Sequence, residues 1–283
     1  MNTTQPRAGD REKVLDLYPL SGWARYRAAF VDLRQGLSLL PLAMTLGWLD
    51  IKMRYRGSIL GPFWLTISTA VMVAALGFLY AELFGIALGN YLPFLALSLV
   101  LWGYISTLIT ESTTVFSQAS SLIQSARTPF SVFALQVIVR NFLVLAHNAA
   151  VVLVVFLIFH VVPHKIWLVV PALVLWSVDS FAIMLCLGLL GARFRDIPPI
   201  IVSLLQVFFF ITPVIWRPEL VGPLADWLLL DPFHPLLAIV RAPLIGESLS
   251  PLIWEAALAH SAILIVAAAL FFARFRARIA YWV

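Results

Sequence analysis

Charge is scarce in this sequence. Asp, Glu, Lys and Arg fill only 12% of its 283 residues while 62% are hydrophobic, against roughly 25% charged and 45–50% apolar in soluble domains. A water-soluble globular enzyme is thereby excluded. The single cysteine, Cys186, lies inside an apolar run, which removes disulfide frameworks and cysteine-built metal clusters. Lysine is nearly missing as well: Lys13, Lys52 and Lys165 are all there is, and none follows a glycine. Without Gly-x-x-x-x-Gly-Lys-[Ser/Thr] there is no phosphate-cradling loop, so the chain is expected to hydrolyse no nucleotide. His147, His160, His164, His234 and His260 lack metal-ligand spacing, and no Gly-x-Ser-x-Gly elbow occurs. We therefore assign no catalytic residue, no metal and no cofactor to this polypeptide.

What the sequence has in quantity is long apolar runs. A helix crossing ~30 Å of hydrocarbon needs about 20 mostly apolar residues, and such windows fall at Pro62–Leu83, Leu92–Ile109, Val132–Phe159, Trp167–Gly191, Pro198–Ile215 and Leu252–Phe272. An open sheet edge in lipid would leave backbone groups unpaired, so these are read as helices. The expectation is an all-α polytopic membrane protein: an N-terminal segment, residues 1–57, ahead of a six-span domain, residues 58–283. The stretch Met1–Tyr26 is polar and mixed in charge, which is not the pattern of a secretory signal.

The net charge of +5 is spread in short basic clusters beside the spans. That pattern speaks for topology and against nucleic acid. With an even number of spans, 15 of the 19 Lys and Arg residues fall on the side of the termini, three (Lys165, Arg217, Arg241) on the other, and Arg140 within a span. The positive-inside rule then puts both termini in the cytoplasm.

Three segments between spans carry further pattern. Phe30, Leu33, Leu37, Leu40, Met44, Trp48 and Ile51 recur at helical steps, with Arg34, Gln35, Ser38 and Thr45 off that stripe, as in a helix lying in the membrane interface. Pro41 should start or kink it. Glu111–Phe130 is rich in Ser, Thr and Gln with Val115, Phe116, Leu122 and Ile123 between them, which suits a short half-buried helix at the cytoplasmic face. Residues 217–251 hold Pro218, Pro223, Pro232, Pro235, Pro243 and Pro251 among Trp227 and several leucines. That run is too apolar for an open loop and too broken to span, so a re-entrant pair of short helices is expected at the outer face.

Ionisable groups inside spans are costly and usually face a partner or a cavity. Here they are Arg140 and His147, seven residues apart on one helical face, Asp179, which could pair with Arg140, and Glu255 and His260. Lys52, Arg54 and Arg56 place three cations just before the first span. They suit either a phosphate cradle at headgroup depth or ordinary positive-inside charge. The ten tryptophans include Trp64, Trp102, Trp167, Trp216 and Trp254 near span ends, an interfacial belt, while Phe208, Phe209 and Phe210 run through a span and could line an aromatic conduit.

Several of these stretches look familiar together. Tyr55-Arg56-Gly57-Ser58-Ile59-Leu60-Gly61-Pro62-Phe63-Trp64 resembles the lead-in to the first span in permease subunits of polysaccharide-exporting ABC-2 transporters, the lipopolysaccharide O-antigen type in particular. Arg140-Asn141 with His147-Asn148, Ala192-Arg193-Phe194-Arg195-Asp196-Ile197, Thr212-Pro213-Val214-Ile215-Trp216 and Arg241-Ala242-Pro243-Leu244-Ile245-Gly246-Glu247 follow in the same order. The resemblance runs from about Trp23 to the C-terminus.

The resemblance implies a homodimer of six-span permeases in the bacterial inner membrane, joined by two ATP-binding subunits that hold ATP and Mg. The cargo it implies is a glycan on a polyprenyl pyrophosphate carrier. Carried over by position, Lys52, Arg54 and Arg56 would meet the pyrophosphate. Residues 111–130, with Glu111, Phe116, Gln118, Leu122 and Arg127, would couple to the ATPase. Arg140, His147, Asp179, Phe209, Trp216 and Arg241 would belong to the channel and its outer gate, residues 217–251. Related permeases export capsules, teichoic acids and galactan. The rival class is an ion-coupled secondary transporter using Asp179, Arg140 and His147 as a relay, although neither inverted repeats nor broken mid-membrane helices are visible; a membrane-embedded glycan enzyme would need more clustered acids.

Overall fold

The computed structural model describes residues 22–61, 63–126, 128–163 and 165–283, and all regular structure among them is helical. Five helices are long and apolar enough to cross a membrane: α3 (Phe63–Phe84), α4 (Leu88–Ser112), α7 (Phe130–Ile158), α8 (Val169–Arg193, extended by a 3-10 turn from Ile166) and α11 (Pro251–Phe275). Each keeps its backbone hydrogen bonds within itself, as a hydrocarbon solvent demands.

The fifth expected span differs in length. Helix α9 covers Ile197–Ile211, 15 residues, or about 22 Å at 1.5 Å per residue. It stops there because Thr212, which precedes Pro213, takes an extended backbone (φ −69, ψ 138), the conformation a following proline favours. A 13-residue 3-10 segment, Pro218–Leu230, broken at Gly222, and helix α10 (His234–Ile245) follow. The part of that segment from Leu224 to Leu230 meets α10 at 110°, so the chain turns back where the proline pattern called for a re-entrant pair. Counting that bent pair as one span gives up to six.

Helix α4 is the hub. It is predominantly apolar, buried along most of its length, and packs against α3, α7, α8, α9 and α10. Helix α3 is its opposite: only Val73, Gly77 and Ala81, four residues apart, are buried, while Phe63, Trp64, Val71, Phe78 and Leu83 point away from the bundle.

The segment before α3 forms α1 (Trp23–Ser38) and α2 (Leu40–Arg54), divided ahead of Pro41. Its faces depart from a simple apolar stripe. A line of small or short residues, Ala29, Asp32, Gly36, Ala43 and Gly47, ends at Ile51 and packs on α7. The large residues Phe30, Leu37, Leu40, Met44 and Trp48 are exposed, as a helix seated between lipid and protein requires. Close approach decides which face turns inward: a Cβ on Gly47 would sit 2.9 Å from the Gln136 carbonyl, so bulky residues are excluded there. Asp32, fully buried, accepts from the Phe130 and Ser131 backbone amides (3.2 and 3.1 Å) and the Ser131 hydroxyl (2.7 Å), and Arg276 donates to it at 2.8 Å. It therefore caps α7 from another helix, supplying the negative charge a helix N-terminus favours.

Between α4 and α7 lie two short helices, α5 (Val115–Gln118) and α6 (Ser120–Ser125). Val115 and Phe116 are buried against α8, where Gly188 and Gly191 leave room. A Cβ on Gly191 would fall 1.7 Å from the Thr113 carbonyl oxygen. The chain closes with α12 (Ile279–Trp282), beside α6 and α8.

Candidate functional site

A groove of about 560 Å³ runs between α4 and α9. Helix α4 contributes Trp102, Ser106, Thr107, Thr110 and Glu111, and α9 contributes Val202, Leu205, Gln206, Phe209 and Phe210. The steps of three and four place each set on one helical face. Ser106 and Thr110 donate to backbone carbonyls one turn back, Gly103 and Ser106, at 3.3 and 2.8 Å. Their oxygens keep lone pairs for a guest, so the wall is polar on α4 and aromatic on α9, with the Trp102 and Phe209 rings 6.0 Å apart.

At the end of this groove nearest α5, Glu111 enters an ion network. Arg140 of α7 reaches Glu111 with one arm (2.8 Å) and Asp50 of α2 with the other (2.9 Å). Asn141 donates to Glu111 at 2.6 Å, Gln136 donates to Asp50 at 2.9 Å, and Arg54 completes the set against the other Glu111 oxygen at 3.2 Å. Three helices are joined by two acids and two arginines with no net charge. The Arg140 side chain is only 9% exposed, that of Arg54 48%, so the network has one buried rivet and one loose arm.

This corrects the pairing of Arg140 with Asp179. Asp50 and Glu111 take the two terminal nitrogens of the guanidinium, while Asp179 accepts from Ser261 of α11 at 2.7 Å and is buried between α8 and α11. His147 bonds its own helix at the Leu143 carbonyl (2.9 Å). Arg140, His147 and Asp179 are thus tied to three different sets of partners, and only Arg140 stands beside the groove. Asp50 and Asp32 were not singled out from the sequence; the one available signal was an acid embedded in an otherwise basic or apolar segment.

Of the three cations before the first span, Arg54 is held by Glu111, and neither Lys52 nor Arg56 has an ion-pair partner among the described residues; both are exposed. Of the residues expected to couple, Glu111 belongs to the groove, Phe116 is fully buried in the core, and Gln118 and Leu122 are exposed. Arg127 lies outside the described residues.

The opposite end of the bundle is closed by Arg241 of α10. It is 2% exposed, donates to the Ser98 hydroxyl (2.9 Å) and the Pro213 carbonyl (2.7 Å), and stacks 4.3 Å over the Phe94 ring. Arg217 lies over the same ring at 5.0 Å, donates to the Asn90 carbonyl (2.7 Å) and faces Glu247 at 3.5 Å. Burial pushes the Glu247 carboxyl above its usual range, with Arg241 and Arg217 pulling it back. Trp216 donates to the Phe210 carbonyl at 2.9 Å and pins the turn after α9. No group of three or more His, Cys, Asp or Glu suited to a metal occurs among the described residues.

Residues 41–245 match the ABC-2 type transporter family. Curated relatives include two that carry the name O-antigen export system permease protein RfbA. One, from Klebsiella pneumoniae, is 21% identical over 193 residues, 68% of this chain and 74% of that protein. The other, from Myxococcus xanthus, is 26% identical over 168 residues, 59% of this chain and 65% of that protein. With the helical bundle, the apolar helices and a family match over more than half its length, the chain belongs to the ABC-2 type transporters as a multi-pass membrane permease.

Proposed function

We propose that this permease is the channel-forming half of an ATP-driven exporter, and that its cargo is a polysaccharide, O-antigen in the first instance, carried on a polyprenyl pyrophosphate. Two copies would form the channel, and two separate ATP-binding subunits holding ATP and Mg would dock at the face bearing α5, α6 and the basic clusters. That face is then cytoplasmic in the bacterial inner membrane, as the distribution of Lys and Arg argues. The names of the curated relatives support the cargo class.

The observation that carries the reading is the groove itself. A polar strip on α4 faces an aromatic strip on α9, and the groove ends at Glu111, against which Arg54 of the basic cluster rests. Aromatic faces stack on sugar rings, hydroxyls and Gln206 offer hydrogen bonds, and Lys52, Arg54 and Arg56 present cations at headgroup depth for a diphosphate. Energy must arrive from outside, since the chain has no phosphate-cradling loop. Clamping of the ATP-binding subunits would reach the bundle through α5, whose Val115 and Phe116 are wedged against α8, and shift its populations by differential nucleotide affinity.

Replacing Lys52, Arg54 and Arg56 together by Gln is the test. Glycan display at the cell surface should fall while the protein stays in the membrane at normal abundance; unchanged display rejects the assignment of these residues.

A further inference from the structure

Glu111 faces two ways. It lines the groove, and its two carboxylate oxygens are shared between a buried partner set, Arg140 and Asn141 on Oε2, and the exposed Arg54 on Oε1. The two sides are unequal. Arg140 is buried and locked by its second bond to Asp50, so it cannot leave without stranding two acids. Arg54 sits at 3.2 Å with half its side chain exposed, the geometry of an ion pair that is worth little and breaks readily.

We infer that Glu111 is a built-in competitor for the incoming diphosphate: it holds Arg54 at the mouth of the groove until an anion that binds tightly enough takes its place, and so lowers the affinity of every anion that needs Arg54. This rests on the proposed role of Lys52, Arg54 and Arg56. When Arg54 swings to a lipid-borne diphosphate, Glu111 keeps Arg140 and Asn141, so no uncompensated carboxylate is left facing the groove. A single carboxylate holds a guanidinium against another monoanion on equal terms. A diphosphate offers more charge and bidentate oxygens, and wins. Release of the headgroup is aided by the same residue, because Glu111 recaptures Arg54. Glu111 stands at the head of the segment expected to couple to the ATPase, and it also lines the groove, where charge competition is its chemistry.

Binding of farnesyl diphosphate and farnesyl monophosphate to the full-length chain in zwitterionic nanodiscs tests this. Glu111→Gln should tighten diphosphate binding about two- to five-fold, the span that the worth of an exposed ion pair implies. It should tighten monophosphate binding by a similar factor, since either ligand must displace the same Arg54–Glu111 pair. Glu111→Asp, which keeps a charge for Arg140 while drawing back from Arg54, should move in the same direction and serves if the Gln variant does not insert. In an Arg54→Gln background the Glu111 substitution should have no effect. If Glu111→Gln leaves both affinities unchanged while Arg54→Gln weakens them, the competitor role is wrong and the diphosphate site stands. If Arg54→Gln, Lys52→Gln and Arg56→Gln all leave binding unchanged, the site itself is wrong. If inorganic pyrophosphate binds as tightly as the prenyl form, the ligand is a free anion and the lipid-borne source is overturned.

Discussion

Replacing Arg140 by alanine removes the side chain that joins α2, α4 and α7. Two charge-assisted contacts disappear, to Asp50 at 2.9 Å and to Glu111 at 2.8 Å, each worth about 1.5–3 kcal/mol. Part of that is recovered. Glu111 retains Asn141 and Arg54, Asp50 retains Gln136, and both acids are about one-fifth exposed, so water reaches them. A net loss of about 2–4 kcal/mol follows, at or below the 3–5 kcal/mol of a fully buried broken pair. In a thermal scan of the detergent-solubilised protein this corresponds to roughly 5–10 °C at a few degrees per kcal/mol. The neutral triple variant Asp50→Asn, Glu111→Gln, Arg140→Met strands no charge and should recover most of the loss. An Arg140→Ala midpoint within about 1 °C of the parent, or a triple variant less stable than the single, would refute the view that charge compensation in this cluster holds the interface helix to the bundle.

Other substitutions read other parts of the fold. Gly191→Ala sets a Cβ against the Thr113 carbonyl and must displace backbone, so it should cost about 1–3 kcal/mol or more and lower ATP-coupled export beyond any fall in abundance. Arg241→Met leaves the Ser98 hydroxyl and Pro213 carbonyl without their buried donor; a loss of about 1–3 kcal/mol is expected in the same thermal assay. Asp32→Ala removes a helix cap and the partner of Arg276, with a loss of about 1–2 kcal/mol expected, whereas Asp32→Asn should retain part of the capping. The Glu247 carboxyl is raised by burial, so its stabilising share is complete in acid, where it is protonated in folded and unfolded chains alike, and is lost as pH rises through the folded value. Glu247→Gln should therefore raise the midpoint at neutral pH and leave it unchanged well below the usual carboxylate range; an equal gain at both would assign the effect to something other than ionisation.

Helix existence was legible because lipid leaves one solution for a backbone that must satisfy itself, and the apolar windows fall on α3, α4, α7, α8 and α11 within a few residues. The bent pair after α9 was readable from prolines that neither a span nor an open loop would hold. The early end of α9 was not foreseen, although Thr212-Pro213 carried the signal. Which face of α1 and α2 turns inward was read from hydrophobicity, yet when the outer solvent is also apolar, close packing of Ala29, Gly36 and Gly47 decides it. Partners of charges could not be read at all: Arg140 and Asp50 are 90 residues apart, and nothing in local spacing tells Asp50 from Asp179 as the acid that Arg140 meets. The groove was visible only as an aromatic run around Phe209, because the polar strip of Ser106, Thr107 and Thr110 sits in an apolar helix and reads as ordinary helix–helix hydrogen bonding.

The most direct measurement is transport in proteoliposomes that contain this chain alone, or this chain with its ATP-binding subunit, and a prenyl-diphosphate-linked glycan in the outward-facing leaflet that corresponds to the cytoplasm. The account predicts that glycan becomes protected inside only when both subunits and hydrolysable ATP are present, and that a proton gradient has no effect. Accumulation by the chain alone, driven by such a gradient, would contradict it.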